Sequence, residues 1–264
     1  MANPYVKLLG AQIRSQLQYR ASFFLDLSMA TLLSAVDIGA LFLLFRVTPA
    51  LGGFGWREVI LMTAISGAGF CMADLAVGEI ERLKHYIRTG LLDTVLLRPM
   101  SALGQLLVLD FATRRAGRVV QGTLFYLVAL TVAPVKWDAA RVVYAIVAPI
   151  NAAVFFSAVF VTLAAIAFWW IESGDIANAF TYGGRDFTAY PSTMFHGWFR
   201  GLFAFGLGFA FVAYLPALAL LGLSEPIGLP DWARWCSPLV TLVVVLIARA
   251  TWLAGLRRYG STGS

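Results

Sequence analysis

Six long apolar runs, over residues 23–45, 59–78, 119–135, 142–171, 201–223 and 238–256, limit what this chain can fold into more than any other feature. A helix rising about 1.5 Å per residue needs roughly 20 residues to cross a hydrocarbon layer of about 30 Å, and the runs are of that order. Of the 264 residues, 60% are hydrophobic and 13% charged, so a soluble core would leave large apolar surfaces in water. In lipid, backbone groups must be paired within the chain, which leaves helices or a closed barrel, and barrel strands alternate over about ten residues. These runs do not alternate. The expectation is an all-α polytopic membrane protein, a single transmembrane domain over residues 1–264 with six helical spans.

Charge sets the expected orientation. With a cytoplasmic N-terminus, the inside segments hold Lys7, Arg14, Arg20, Arg82, Lys84, Arg88, Arg98, Arg114, Arg115, Arg118, Arg185, Arg200, Arg249, Arg257 and Arg258, fifteen of the twenty basic residues. Arg46, Arg57, Lys136, Arg141 and Arg234 fall outside, so the positive-inside rule places both termini in the cytoplasm and the chain in the cytoplasmic membrane. The net charge of +6 then reports orientation and contact with anionic lipid, not nucleic-acid binding. Before the first span, Val6, Leu9, Ile13 and Leu17 share one helical face opposite Lys7, Arg14 and Gln18. Residues 1–20 thus read as an amphipathic helix in the cytoplasmic interface, with a frayed terminus as the alternative. Cys71 and Cys236 form no disulfide framework.

Several enzyme classes lack their motifs. No Gly-rich stretch ends in Lys-Ser or Lys-Thr, so this chain has no phosphate-cradling loop of its own. Glu79, Glu81 and His85 could line a metal site on one helix, but beside Arg82 and Lys84 they read more simply as charges at a membrane exit. Asp37, Asp74 and Arg249 fall inside spans, where charge is costly. Asp37, in the outer half of the first span, lines a transport route or makes a buried packing hydrogen bond. Asp74 and Arg249 stand at similar depth and are a candidate ion pair. The small residues Ala64, Gly67, Ala68 and Gly69, and Gly201, Gly206 and Gly208, permit close helix approach within the chain or between subunits. Pro216 is expected to bend the fifth span, and the Pro226, Gly228, Pro230 cluster reads as a re-entrant element or a plain turn.

The cytoplasmic segment 79–118 is too long for a simple connection. Within it, Leu91, Leu92, Val95 and Leu96 share one side of a short helix, with Asp93 and Thr94 on another, Gly90 before it and Pro99 after it. Such a helix must bury its apolar side against the membrane, its own loop or another protein, and the flanking Arg88 and Arg98 suit the orientation of a partner.

The stretch from Ile87 to Pro99, Tyr190-Pro191, Arg200 and Tyr214-Leu215-Pro216-Ala217, with the basic N-terminus and six spans, resembles the ABC-2 type permeases of ABC transporters, bacterial chains of about 260 residues. The resemblance implies a transport subunit that is not itself an enzyme and pairs with separate ABC ATPase subunits, where ATP and Mg are bound. It implies a second permease subunit, alike or paralogous, and export of an unidentified cargo; the aromatics Phe203, Phe205, Phe209 and Phe211 fit an amphiphilic cargo and equally fit lipid-facing packing. A coupling segment for the ATPase is implied at Arg88, Gly90, Leu91, Leu92, Asp93, Leu96, Arg98 and Pro99. An intramembrane enzyme, or a scaffold or channel working without ATP, are the competing readings.

Overall fold

The computed structural model describes residues 20–109 and 115–260, and among them every regular element is helical. The amphipathic segment expected before the first span lies outside these residues except for Arg20, as does Arg114. Helix α1 (Arg20–Val47) leads through a tight turn, in which Leu51 and Phe54 exchange backbone hydrogen bonds, to α2 (Trp56–Val77). A 3-10 turn (Gly78–Arg82) and three short helices follow: α3 (Leu83–Arg88), α4 (Leu91–Leu96) and α5 (Ala102–Leu109). Helix α6 (Ala116–Val132) returns, and α7 (Ala139–Ala165) runs alongside α2 in the same direction. The remaining helices are α8 (Gly174–Thr188), α9 (Gly197–Arg200), α10 (Tyr214–Leu221) and α11 (Ser237–Arg258).

Among the described residues, four stretches are long and apolar enough to cross a membrane: Ser28–Val47, Trp56–Arg88, Ala139–Phe168 and Ser237–Arg258. A bent pair, Gly197–Gly206 with Phe209–Leu221, adds a fifth if it is one span, and α6 is a shorter apolar helix. Helix α2 is the hub, packed along α7 on one side and α6 on another, with α11 on the far face of α7. Between lipid-embedded helices no hydrophobic driving force remains, so contact depends on how closely backbones approach. At Gly69 an added Cβ would lie 2.4 Å from Ala152 Cβ, so only a residue without a side chain lets α2 and α7 meet there. Phe70 then packs edge-on to Phe156, ring centroids 5.2 Å apart.

The largest departure from the sequence reading lies at residues 172–221. A continuous fifth span over 201–223 is not what forms. Helix α8, expected as part of a cytoplasmic loop, instead runs along the bundle. At its start, Glu172 pairs with Arg88 and Gly174 sits under the Lys84 side chain. Farther on, Ser66 Oγ lies 2.6 Å from Thr188 Oγ1, and Thr63 donates to Ala189 O at 2.9 Å. Beyond its end, the Thr193 hydroxyl donates to Gly52 O at 2.7 Å, in the turn between α1 and α2. The path from Glu172 to Thr193 therefore joins one end of the bundle to the other.

From that second end the chain enters α9, widens into a π-helical turn (Gly201–Gly206) and breaks at Gly208, whose φ of +81° is a left-handed conformation that glycine adopts freely. Gly208 packs against Phe155, near the middle of α7. After a 57° bend, α10 returns to the end it came from, where Arg141 Nε donates to Ala219 O at 2.9 Å. Pro216 does not make the bend. It stands in the first turn of α10, where the missing N–H costs nothing. The Pro226 to Trp235 region is a surface 3-10 turn (Asp231–Trp235), held by the Tyr144 hydroxyl on Arg234 O at 3.0 Å.

Gly69→Leu is expected to destabilise the protein by about 1–3 kcal/mol through forced separation of α2 and α7. Gly67→Ala, where nothing lies within 4 Å of an added Cβ, should change it by no more than about 0.5 kcal/mol. Thermal melts of the purified chain in detergent read both values.

Candidate functional site

Charge gathers at the end of the bundle that carries residues 78–109. Asp74, in the last turn of α2, has a side chain only 5% exposed, and its carboxylate takes Arg115 at 2.7 Å and Arg118 at 3.1 Å. Arg115 also donates to Asp74 O at 2.9 Å and reaches Glu79 Oε1 at 2.8 Å. Gly78 lies directly beneath this guanidinium, so a side chain there would displace it. A buried carboxylate with two charged donors is held far more firmly than a surface pair, because removing one partner strands the other in a poorly solvated place. The pairing expected between Asp74 and Arg249 does not form. The start of α6 packs on α2 and supplies both arginines, while α11 packs on α7 and leaves Arg249 exposed.

The segment that follows is fixed by specific contacts. Gly90, with φ +72°, begins α4 in a left-handed conformation that turns the chain sharply. Gln105, fully buried, donates its amide to Val95 O at 3.0 Å and to Met100 O at 3.1 Å, tying the exit of α4 to α5. The expected single apolar face of α4 is divided. Leu92 and Val95 are buried in the protein, whereas Leu91, Leu96 and above all Leu97, 85% exposed, point away from it with Arg98 and Pro99. The division follows from 100° per residue: the four positions spread over an arc of about 140°, with Val95 and Leu92 in its middle and Leu91 and Leu96 at its two edges.

Asp93 is half-buried, and its carboxylate accepts from the Tyr259 hydroxyl at 3.0 Å, just beyond α11. Arg88 is engaged with Glu172 at the entry to α8. Two of the residues expected to face a partner thus fasten the loop to two long helices. Tyr259 and Glu172 carried no signal in sequence, since a tyrosine near a terminus and a glutamate in a loop are ordinary surface residues.

The other end holds one buried acid that sequence reasoning passed over. Glu225 accepts from the Tyr214 hydroxyl at 2.9 Å and from the backbone N–H groups of Ile227 and Leu229 at 2.8 and 3.1 Å. It pins the loop after α10 to the first turn of that helix. Asp37, by contrast, stands halfway along the apolar part of α1 and is exposed, with Arg185 of α8 3.8 Å away.

A family model described as ABC-2 family transporter protein matches residues 31–263. No curated protein and no solved structure matches the chain.

The ion network is expected to show in a double-mutant cycle. Asp74→Ala and Arg115→Ala should each cost about 3–5 kcal/mol and couple by more than about 1 kcal/mol, while Asp74→Ala with Arg249→Ala should be additive within about 0.5 kcal/mol. Chemical unfolding of the detergent-solubilised chain measures both.

Proposed function

The chain belongs to the ABC-2 family of transporter proteins, and from that membership we propose that it is the permease subunit of an ATP-driven exporter whose ATPase is a separate chain. In this reading the end bearing Lys84, Arg88, Arg115, Arg257 and Arg258 is cytoplasmic, as the excess of basic residues there favours. Helix α8 is the fifth of six spans, and the element from α9 to α10 dips into the membrane from the outer side and returns. Residues of α8 such as Asn178 and Arg185 are then not loop residues but polar groups within the membrane, where they line a route or an interface. ATP and Mg bind in the partner ATPase, and the complete transporter pairs two permease subunits.

The single observation that carries the coupling reading is that Leu91 and Leu96 of α4, and Leu97 just beyond it, are exposed on a loop that is otherwise tightly held. Burying a leucine side chain contributes about 1.5–3 kcal/mol, so Leu97, the most exposed of the three, is the main apolar contact offered to a partner groove. Arg98, next to Leu97, adds a charge for registering the partner. Movement of the ATPase would enter through α4 and pass along two links: Asp93 to Tyr259 moves α11, and Arg88 to Glu172 moves α8. The same links explain why the loop is not simply a flexible tether.

The test is copurification of the full chain with its cognate ATPase. Leu97→Asp should weaken the complex about tenfold or more while leaving the melting temperature of the permease alone unchanged. Tyr259→Phe should leave binding intact yet lower transport per ATP hydrolysed. An ATPase held equally well by a Leu91→Asp/Leu97→Asp variant would place the docking surface elsewhere.

A further inference from the structure

Pro149 stands inside α7, with helix on both sides of it. A proline has no N–H to donate, so the carbonyl of Ala145, four residues back, is left without its partner in the helix, and the ring crowds it. Inside a membrane no water replaces that bond. A neighbouring helix does: the hydroxyl of Tyr126, buried on α6, donates to Ala145 O at 2.7 Å.

That bond spans a division in the fold. Before Pro149, Arg141 Nε donates to Ala219 O at the end of α10, and the Tyr144 hydroxyl donates to Arg234 O. Arg234 in turn donates to Leu223 O, and Tyr214 at the start of α10 donates to Glu225. The first part of α7, α10 and residues 222–235 are therefore one hydrogen-bonded unit, a cap on this end of the bundle. After Pro149, Ala152 is pressed against Gly69 of α2, Phe156 packs on Phe70, and Phe155 lies against Gly208. This part of α7 belongs with α2 and with α6, which packs on α2.

Cap and body meet through apolar surfaces, such as Tyr214 edge-on to Phe54 at 5.8 Å. Among the described residues, no hydrogen bond joins the cap to α2, α6 or α8 except that of Tyr126 on Ala145 O. Where the chain itself passes between the two, it does so at irregular residues (133–138 and Cys236), at Pro149, or at the left-handed Gly208 and the 3-10 turn beyond it.

We propose that Pro149 is the hinge on which the cap swings against the body, and that Tyr126 is the latch that holds one of its two positions. Apolar surfaces slide without leaving polar groups bare, so the swing breaks a single hydrogen bond. Tyr126 is a positioning residue that acts through Ala145. The inference rests on the transport reading only for what the swing does: there the cap lies at the outer end, and its movement opens that end.

The test uses the full chain in lipid nanodiscs without ATPase. Cys71 and Cys236 are changed to alanine, and spin labels are placed on Ser224→Cys in the cap and Asp186→Cys on α8, both exposed. The distance between the labels is read with no further change, in Tyr126→Phe, in Pro149→Ala and in the double variant. Tyr126→Phe should raise the population of a second distance about fivefold, the weight of one hydrogen bond. Pro149→Ala gives Ala145 O a donor in its own helix, so a single distance should remain whether or not Tyr126→Phe is present. Melting temperatures follow the same cycle: Tyr126→Phe should lower them by about 2–4 °C beside Pro149 and by less than about 1 °C in Pro149→Ala. A tyrosine that only filled space would cost the same in both. Equal losses with and without Pro149, or one unchanged distance in every chain, would overturn the proposal. If the cap moves as described but Pro149→Ala, reconstituted with the cognate ATPase, transports normally, the hinge stands and its place in transport fails.

Discussion

Close approach of α2 to its neighbours is the constraint on which the rest of the structure depends. Apolar side chains gain nothing by leaving lipid for another apolar helix, so the bundle is held by packing and by polar contacts. Gly69 against Ala152 brings α2 and α7 together. That contact sets Phe70 against Phe156 and Phe160 and leaves on its other side the space that Tyr182 and Arg185 of α8 occupy. Without the short α2 to α7 distance, α8 would have no wall on which to run.

Polar contacts then fix what packing leaves free, and they differ in kind between the two ends. At the basic end, Asp74, Arg115, Arg118 and Glu79 form a buried network, while Asp93 with Tyr259 and Arg88 with Glu172 join the loop to α11 and α8. At the other end the contacts are mostly to backbone: Arg141 to Ala219 O, Tyr144 to Arg234 O, Thr193 to Gly52 O, and the N–H groups of Ile227 and Leu229 to Glu225. At the basic end the contacts join helices, and at the other they hold turns in place. Between them, Gly208 breaks the element from α9 to α10, and Asp37 with Arg185 makes a looser pair than those at Asp74.

Much of this was legible in sequence, because lipid imposes a length and a polarity that composition records directly. The apolar helices α1, α2, α6, α7 and α11 followed from that, the short helix after Gly90 from its apolar spacing and the Pro99 beyond it, and the family resemblance from particular stretches such as Ile87 to Pro99. Helix α8 did not, and the reason is physical. Asp175, Asn178, Arg185 and Asp186 give it the polarity of a loop, and only its contacts with α2, Thr188 on Ser66 and Tyr182 and Arg185 on Phe70, reveal that it runs along the bundle. The same limit explains Asp74. Depth alone suggested Arg249, whereas the choice among arginines is made by which helix packs on α2. Gln105, Glu225 and Tyr259 act through one to three hydrogen bonds each, to groups distant in the fold or across a turn, and no residue pattern announces such bonds.

The central claim is that α8 carries the chain from one face of the membrane to the other. It is tested most directly by single cysteines at Asp175 and Met194, both exposed, the first in the first turn of that helix and the second beyond its end. A membrane-impermeant maleimide applied to intact cells should label Met194→Cys and should reach Asp175→Cys only after the membrane is opened. Labelling of both from the same side would contradict the account and return this segment to a loop.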